Sequence, residues 1–192
     1  MESEENLDKD KESSSITKRS LMAIRQMGRN TAMILRKEEV PIPEGELGLK
    51  DVTRENFWDI CNLKVSLSQE EYVAANVVSI AEAYFSKTAW LRAIYLGNTP
   101  IGFIMLSKDT VHQKYILWRI MIDEKYQRKG FGRQAFQKLM DEVKAFPGAN
   151  ELTTSYVTGK GSPKDFFVKM KFVHTGKKIG NEVCLTYYAN AK

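Results

Sequence analysis

The densest chemistry in the sequence lies between Trp118 and Arg133, which reads Trp-Arg-Ile-Met-Ile-Asp-Glu-Lys-Tyr-Gln-Arg-Lys-Gly-Phe-Gly-Arg. Trp118 to Ile122 has the apolar character of a strand, and Phe131 onward has the spacing of an amphipathic helix. Between them, Gly130 and Gly132 lack a Cβ, so a ligand can approach the main chain closely. A helix opening at Phe131 leaves its first N–H groups without intrahelical partners and carries partial positive charge at that end. The main-chain donors of Gln127 to Gly132, with full charges on Arg128, Lys129 and Arg133, form an anion site suited to a pyrophosphate. Neither nucleotide fingerprint is satisfied. Gly-Lys-Ser/Thr is missing, and so is the third glycine of Gly-x-Gly-x-x-Gly.

Read whole, Gln127-Arg128-Lys129-Gly130-Phe131-Gly132 fully matches the acetyl-coenzyme A signature Gln/Arg-x-x-Gly-x-Gly/Ala, and the segment resembles the GNAT superfamily of N-acetyltransferases. Tyr72 to Ala83, Leu117 to Asp123 and Phe166 to Gly176 look like segments of the bacterial diamine and spermine/spermidine acetyltransferases. The resemblance implies acetyl-CoA as cosubstrate, no metal, and direct attack of a deprotonated amine on the thioester in a ternary complex. It implies that the strand at Ile120, Met121 and Ile122 splays from its neighbour at a bulge, so that free main-chain groups hold the pantetheine and polarise the acetyl carbonyl. The side chains of these three residues read as plain core.

The family frame Phe-Tyr-x-x-x-Gly-Phe, whose tyrosine protonates the leaving thiolate, appears here as Phe166-Phe167-Val168-Lys169-Met170-Lys171-Phe172. Phe167 has no proton to give, and Lys171 replaces a glycine that often needs positive φ. Tyr156, at the end of the fifth strand, is the nearest substitute acid; a half-buried strand tyrosine is its plainer reading. Asn76 and Glu82 fall on the helix that borders the acceptor cleft in this fold, where Glu82 could hold an ammonium group. Arg119, in an apolar strand, calls for a carboxylate partner, and Glu182 is either that partner or a residue bordering the site. Lys164 and Lys169 could meet the coenzyme's 3′-phosphate or remain exposed helix lysines. His112 and His174 show no ligand pattern for a metal, and Cys61 and Cys184 read as small core residues.

At 192 residues the chain is the size of one generous domain, or one domain plus a tail. Its 43% hydrophobic and 28% charged residues are ordinary for a globular protein, and no run approaches the roughly 20 apolar residues that span a bilayer. Two cysteines are too few for a disulfide scaffold, and the acidic Met1 to Lys11 leads into no apolar h-region; the expectation is a reduced, cytoplasmic protein. The net charge of +5 is unevenly spread: residues 51–82 sum to −4 and residues 113–144 to +4. That polarity suits a polyanion on the C-terminal half and a cationic acceptor near the N-terminal half.

Residues 1–45 read as an extension, acidic and Ser-rich to Ser15 and expected to be disordered. Ile16 to Lys37 then carries six bases and no acid, with apolar residues at loosely helical spacing, and Pro41, Pro43 and Gly45 punctuate a linker. The resemblance implies that residues 46–192 form the acetyltransferase domain. Strands are expected at 47–52, 89–96, 101–106, 115–122, 152–157, 172–177 and 183–188. Helices are expected after N-caps at Thr53 and Ser68, and over 131–144 and 163–170. The fold class is α/β (α+β), a mixed, mostly antiparallel sheet of six to seven strands with helices on both faces.

The function that follows is acetyl transfer from acetyl-CoA to a primary amine, a polyamine foremost. The alternative is an acetyl-CoA-binding regulatory module with weak or no turnover. No nucleic-acid motif and no integral membrane segment is present in the sequence, and the oligomeric state is left open, a homodimer included.

Overall fold

The computed structural model describes residues 40–189. Most of the extension, including the basic stretch at 16–37, lies outside the described residues. Seven strands run β1 (Leu47–Lys50), β2 (Ala89–Leu96), β3 (Thr99–Asp109), β4 (Lys114–Ile122), β5 (Glu151–Val157), β6 (Val173–Ile179) and β7 (Glu182–Tyr188). They form one sheet in the order β1-β2-β3-β4-β5-β7-β6. Every neighbouring pair is antiparallel except β4 and β5, which run parallel. The helices are α1 (Phe57–Asn62), α2 (Asn76–Tyr84), α3 (Phe131–Lys144) and α4 (Lys164–Lys169).

Both faces of the sheet are covered. Phe103, Met105, Ala93, Tyr95 and Met121 pack with Ile60 of α1, and Ile80 and Ala83 of α2 lie against that cluster. The alternate residues face α3, where Trp90 and Tyr115 meet Phe146 just past the helix. Ile101 to Leu106 are all buried, as a central strand covered on both sides requires. Each such side chain contributes about 1.5–3 kcal/mol by leaving water. Phe136 of α3 reaches Phe172 and Tyr187, which puts the odd-numbered residues of β7 on the α3 face as well.

Two helix starts differ from the sequence expectation. Thr53 does not cap α1: its N–H donates to Asn56 Oδ1 at 2.8 Å while Asn56 Nδ2 donates to the Asp51 carbonyl at 2.9 Å, so residues 54–56 form a turn and α1 begins at Phe57. The capping box at Ser68 does not form either. Leu67–Gln69 makes a short 3-10 turn, and α2 begins only at Asn76.

Candidate active site

The parallel junction of β4 and β5 is held by one paired position, Ile116 with Thr153, supplemented by the Thr154 hydroxyl donating to the Leu117 carbonyl at 2.9 Å. Beyond it the two strands part. The β3–β4 register shifts between Met105 and Leu106, which oppose Arg119 and Leu117, so Trp118 is the extra residue of a bulge at the point where the gap opens. Asp123 N–H donates to the Ile101 carbonyl at 2.8 Å, and antiparallel pairs alternate between bonded and non-bonded. Met121 and Arg119 therefore direct their main-chain groups to β3, whereas Ile120 and Ile122 direct theirs toward the gap. Of the three strand residues expected to meet the coenzyme, Met121 directs its main chain to β3 and buries its side chain among α1 and α2.

The turn after β4 is built on Asp123. This buried carboxylate accepts the N–H of Lys125 and the N–H of Lys64, both at 3.0 Å, while Glu124 N–H donates to the Lys64 carbonyl at 2.8 Å. It fastens the turn to the chain leaving α1, a role that the sequence reading did not assign. Gln127 is tied down as well: its Nε2 donates to the Ile122 carbonyl and to Gln69 Oε1, each at 2.8 Å. Both Nε2 hydrogens of Gln127 are thus spent on shaping the turn.

Arg128 follows with φ 60 and Gly130 with φ 84, two left-handed residues that bend the chain into α3. No side chain caps α3 and no acid sits in its first turn. Arg133 and Gln134 N–H both turn back to the Gly130 carbonyl, which leaves the N–H groups of Phe131 and Gly132 as open donors. The Phe131 ring is buried, so that residue offers main chain only. Space around the Gly130 Cα is open, whereas a Cβ on Gly132 would stand 3.2 Å from the Phe166 ring. Gly132 thus also serves the packing of α3 against α4. Arg128, Lys129 and Arg133 are exposed around this uncapped end. An anion would complete it.

The acetyltransferase (GNAT) family matches residues 54–163, more than half of the chain and the whole of the gap and turn. The chain belongs to the GNAT family. The fold of this chain is similar to that of the PaiA N-acetyltransferase from Thermoplasma acidophilum in complex with coenzyme A, with TM-score 0.58 at 15% identity over 74% of this chain and 99% of that one. It is similar to the spermidine N-acetyltransferase from Vibrio cholerae in complex with CoA and spermine, with TM-score 0.58 at 14% identity over 74% and 95%. The ribosomal-protein-S18-alanine N-acetyltransferase from Escherichia coli gives TM-score 0.57 at 12% identity over 77% and 96%. No curated protein matches in sequence.

The remaining candidate residues of this GNAT-family chain fall on the two faces around the gap. Asn76 is 2% exposed, and its Nδ2 donates to the Ile60 carbonyl at 2.8 Å and lies 3.8 Å from the Met121 sulfur, so this nitrogen ties α2 to α1 and β4. Glu82 lies 2.7 Å from the Arg119 guanidinium, so the carboxylate expected to hold an ammonium already holds a cation. Glu182 accepts a hydrogen bond from the Ser155 hydroxyl instead of meeting Arg119. Tyr156 shares the α3 face with Thr154 and Leu152, but its hydroxyl stands 3.3 Å from His174 Nε2 on β6. The phenol leans across β7, away from the gap, which argues against Tyr156 as the acid in this conformation. Phe167 is buried, its ring edge-on to Phe166 at 5.5 Å and to Phe172 at 5.4 Å.

Lys164 and Lys169 are exposed on α4. Burial pushes the Cys61 thiol up, which keeps it protonated and unsuited to nucleophilic attack. The loop after β5 comes back over the segment between α1 and α2: a Cβ on Gly159 would collide with the Tyr72 hydroxyl, and one on Gly161 with the Ser68 carbonyl. Among the described residues no group of three or more His, Cys, Asp or Glu side chains converges on a metal position, and no helix is long and apolar enough to cross a membrane.

Proposed function

We propose that this protein transfers the acetyl group of acetyl-CoA to a primary amine, with a polyamine as the acceptor. The observation that carries the reading is the conjunction of the β4–β5 gap with the uncapped start of α3. Acetyl-CoA supplies an acetyl thioester when bound. The N–H groups of Phe131 and Gly132, with Arg128, Lys129 and Arg133 around them, hold its pyrophosphate. The N–H groups of Ile120 and Ile122 hold the pantetheine arm and polarise the acetyl carbonyl; one such donor is typically worth about 10²–10³ in kcat. The amine enters from the face bearing α1 and α2, where residues 51–82 carry a net charge of −4 that Arg92 and Arg119 offset in part at Asp51 and Glu82. Once it has lost its proton to solvent it attacks the acetyl carbon, the C–S bond breaks, and coenzyme A leaves as a thiolate that takes a proton from solvent. The polyamine choice rests on that charge and on the likeness of residues 72–83, 117–123 and 166–176 to diamine and spermine/spermidine acetyltransferases.

The test is thiol release from acetyl-CoA over a panel of spermidine, spermine, 1,4-diaminobutane, an aminoglycoside and a peptide with a free N-terminus. Spermidine or spermine should give the highest kcat/KM. Faster turnover of the peptide overturns the acceptor. A second reading, an acetyl-CoA-binding regulatory module, draws on the absence of a phenol facing the gap at both Phe167 and Tyr156. Calorimetric binding of coenzyme A without thiol release to any amine decides for it.

A further inference from the structure

On the side of the sheet that bears α1 and α2, Arg119 of β4, Glu82 of α2 and Glu182 of β7 lie around the gap. Arg119 and Glu82 neutralise one another at 2.7 Å. The third, Glu182, takes part in no ion pair among the described residues. Directly opposed residues of an antiparallel pair share a face, and here Val157 opposes Glu182 while Ser155 opposes Cys184. Because Tyr187, an odd-numbered residue of β7, meets Phe136 of α3, Glu182 and Ser155 must lie on the opposite side. The Glu182 side chain leans from β7 back over β5, since the hydroxyl it meets is that of Ser155. Past Thr153, β5 has no strand partner on its β4 side. The carboxylate is thereby brought to the far wall of the gap, on the side from which an acceptor enters.

Ser155 Oγ donates to Oε2 of Glu182 and leaves Oε1 uncommitted. A freely solvated glutamate needs no such hydroxyl. A half-buried one held in a single orientation, with no cation beside it, is disposed to take one.

We propose that Glu182, oriented by Ser155, binds an ammonium group of a di- or polyamine acceptor. This assignment rests on the transferase reading above. The nitrogen that attacks must be neutral to offer a lone pair, so a carboxylate has no charge to pair with there. The nitrogen that stays protonated is the one that Glu182 holds, and a monoamine has none to offer. Glu182 is accordingly a specificity-determining residue, selecting acceptors with two nitrogens.

The test compares spermidine with n-butylamine as acceptors for the full chain and for Glu182→Gln, Glu182→Asp and Ser155→Ala. The ratio of kcat/KM for spermidine over butylamine should fall at least tenfold in Glu182→Gln and be partly kept in Glu182→Asp, with Ser155→Ala between them. An unchanged ratio overturns the assignment, whether or not both rates fall. If the natural protein turns over neither amine, calorimetry of spermidine with the coenzyme A-saturated protein reads the same subsite. Spermidine binding that is lost in Glu182→Gln, with coenzyme A affinity kept, upholds the subsite while the transferase reading fails. No spermidine binding to the natural protein overturns both.

Discussion

The Glu82 carboxylate and the Arg119 guanidinium, 2.7 Å apart, join α2 to β4 beside the gap, and the same guanidinium nitrogen stands 3.5 Å from the Met105 sulfur. An arginine in an otherwise apolar strand is expensive to leave unpaired, and Glu82 is the residue that answers it. Half of the Glu82 side chain is still exposed to water. A double-mutant cycle of Glu82→Gln and Arg119→Gln should therefore give a coupling energy of only about 0.5–1 kcal/mol in urea denaturation. A coupling of zero means that the pair contributes nothing to stability.

The basic turn gives two substitutions with opposite structural consequences. Lys129→Glu places a negative charge on an exposed residue at the uncapped end of α3 and should weaken coenzyme A binding by about tenfold, or about 1.4 kcal/mol. Arg128→Gly removes a charge but also relieves a left-handed non-glycine residue at φ 60, so the melting temperature should hold or rise while affinity falls. Gly132→Asp is a poor probe, because its side chain would press on Phe166 and disturb α3–α4 packing. Unchanged calorimetric affinity in both exposed-site variants sinks the pyrophosphate assignment.

Asp123 should matter more to stability than any other acid in the site. Its buried carboxylate accepts two main-chain N–H groups, one from Lys125 and one from Lys64, 59 residues away from it. Hydrogen bonds to charged groups contribute about 1.5–3 kcal/mol each, so Asp123→Ala should cost at least about 2 kcal/mol. Asp123→Asn keeps one acceptor oxygen and should cost less. Equal urea midpoints for the natural protein and Asp123→Ala would falsify this account of the turn.

Lys171 closes α4. Its φ of 68 is left-handed, its N–H donates to the Val168 carbonyl, and Phe172 N–H donates to the Phe167 carbonyl, the bonding of a Schellman motif. Glycine at this position avoids the Cβ strain, so Lys171→Gly should raise stability by about 0.5–1 kcal/mol after its own entropy cost. A lower melting temperature would show that the lysine side chain contributes more than its backbone loses.

Local pattern made some elements legible and tertiary bonding hid others. α3 begins at Phe131 and ends at Lys144 as expected, because Gly130 precedes it, Pro147-Gly148 follows, and its apolar residues keep a helical period. The seven strands were readable from runs of β-branched and aromatic residues. The start of α2 was not readable, because Gln69 is engaged by Gln127, 58 residues away, and Asn76 by Ile60, 16 residues back. Asp123 had a visible signal, an acid between an apolar strand and a turn, but its second partner at Lys64 belongs to a distant segment. Face alternation places Tyr156 opposite Ser155, yet the direction in which its ring leans depends on His174, which only the folded sheet brings near.

One backbone rung between Ile116 and Thr153 makes the sheet two plates, β1 to β4 and β5-β7-β6, that meet along a hinge line. Within each plate, ladders of main-chain bonds shield the amides; along the hinge line they do not. Slow breathing of the molecule is thereby concentrated at one seam. Amide hydrogens of Ile120 and Ile122 should exchange with solvent deuterium ahead of those in the middle of β3, and coenzyme binding, by stitching the seam, should slow them selectively.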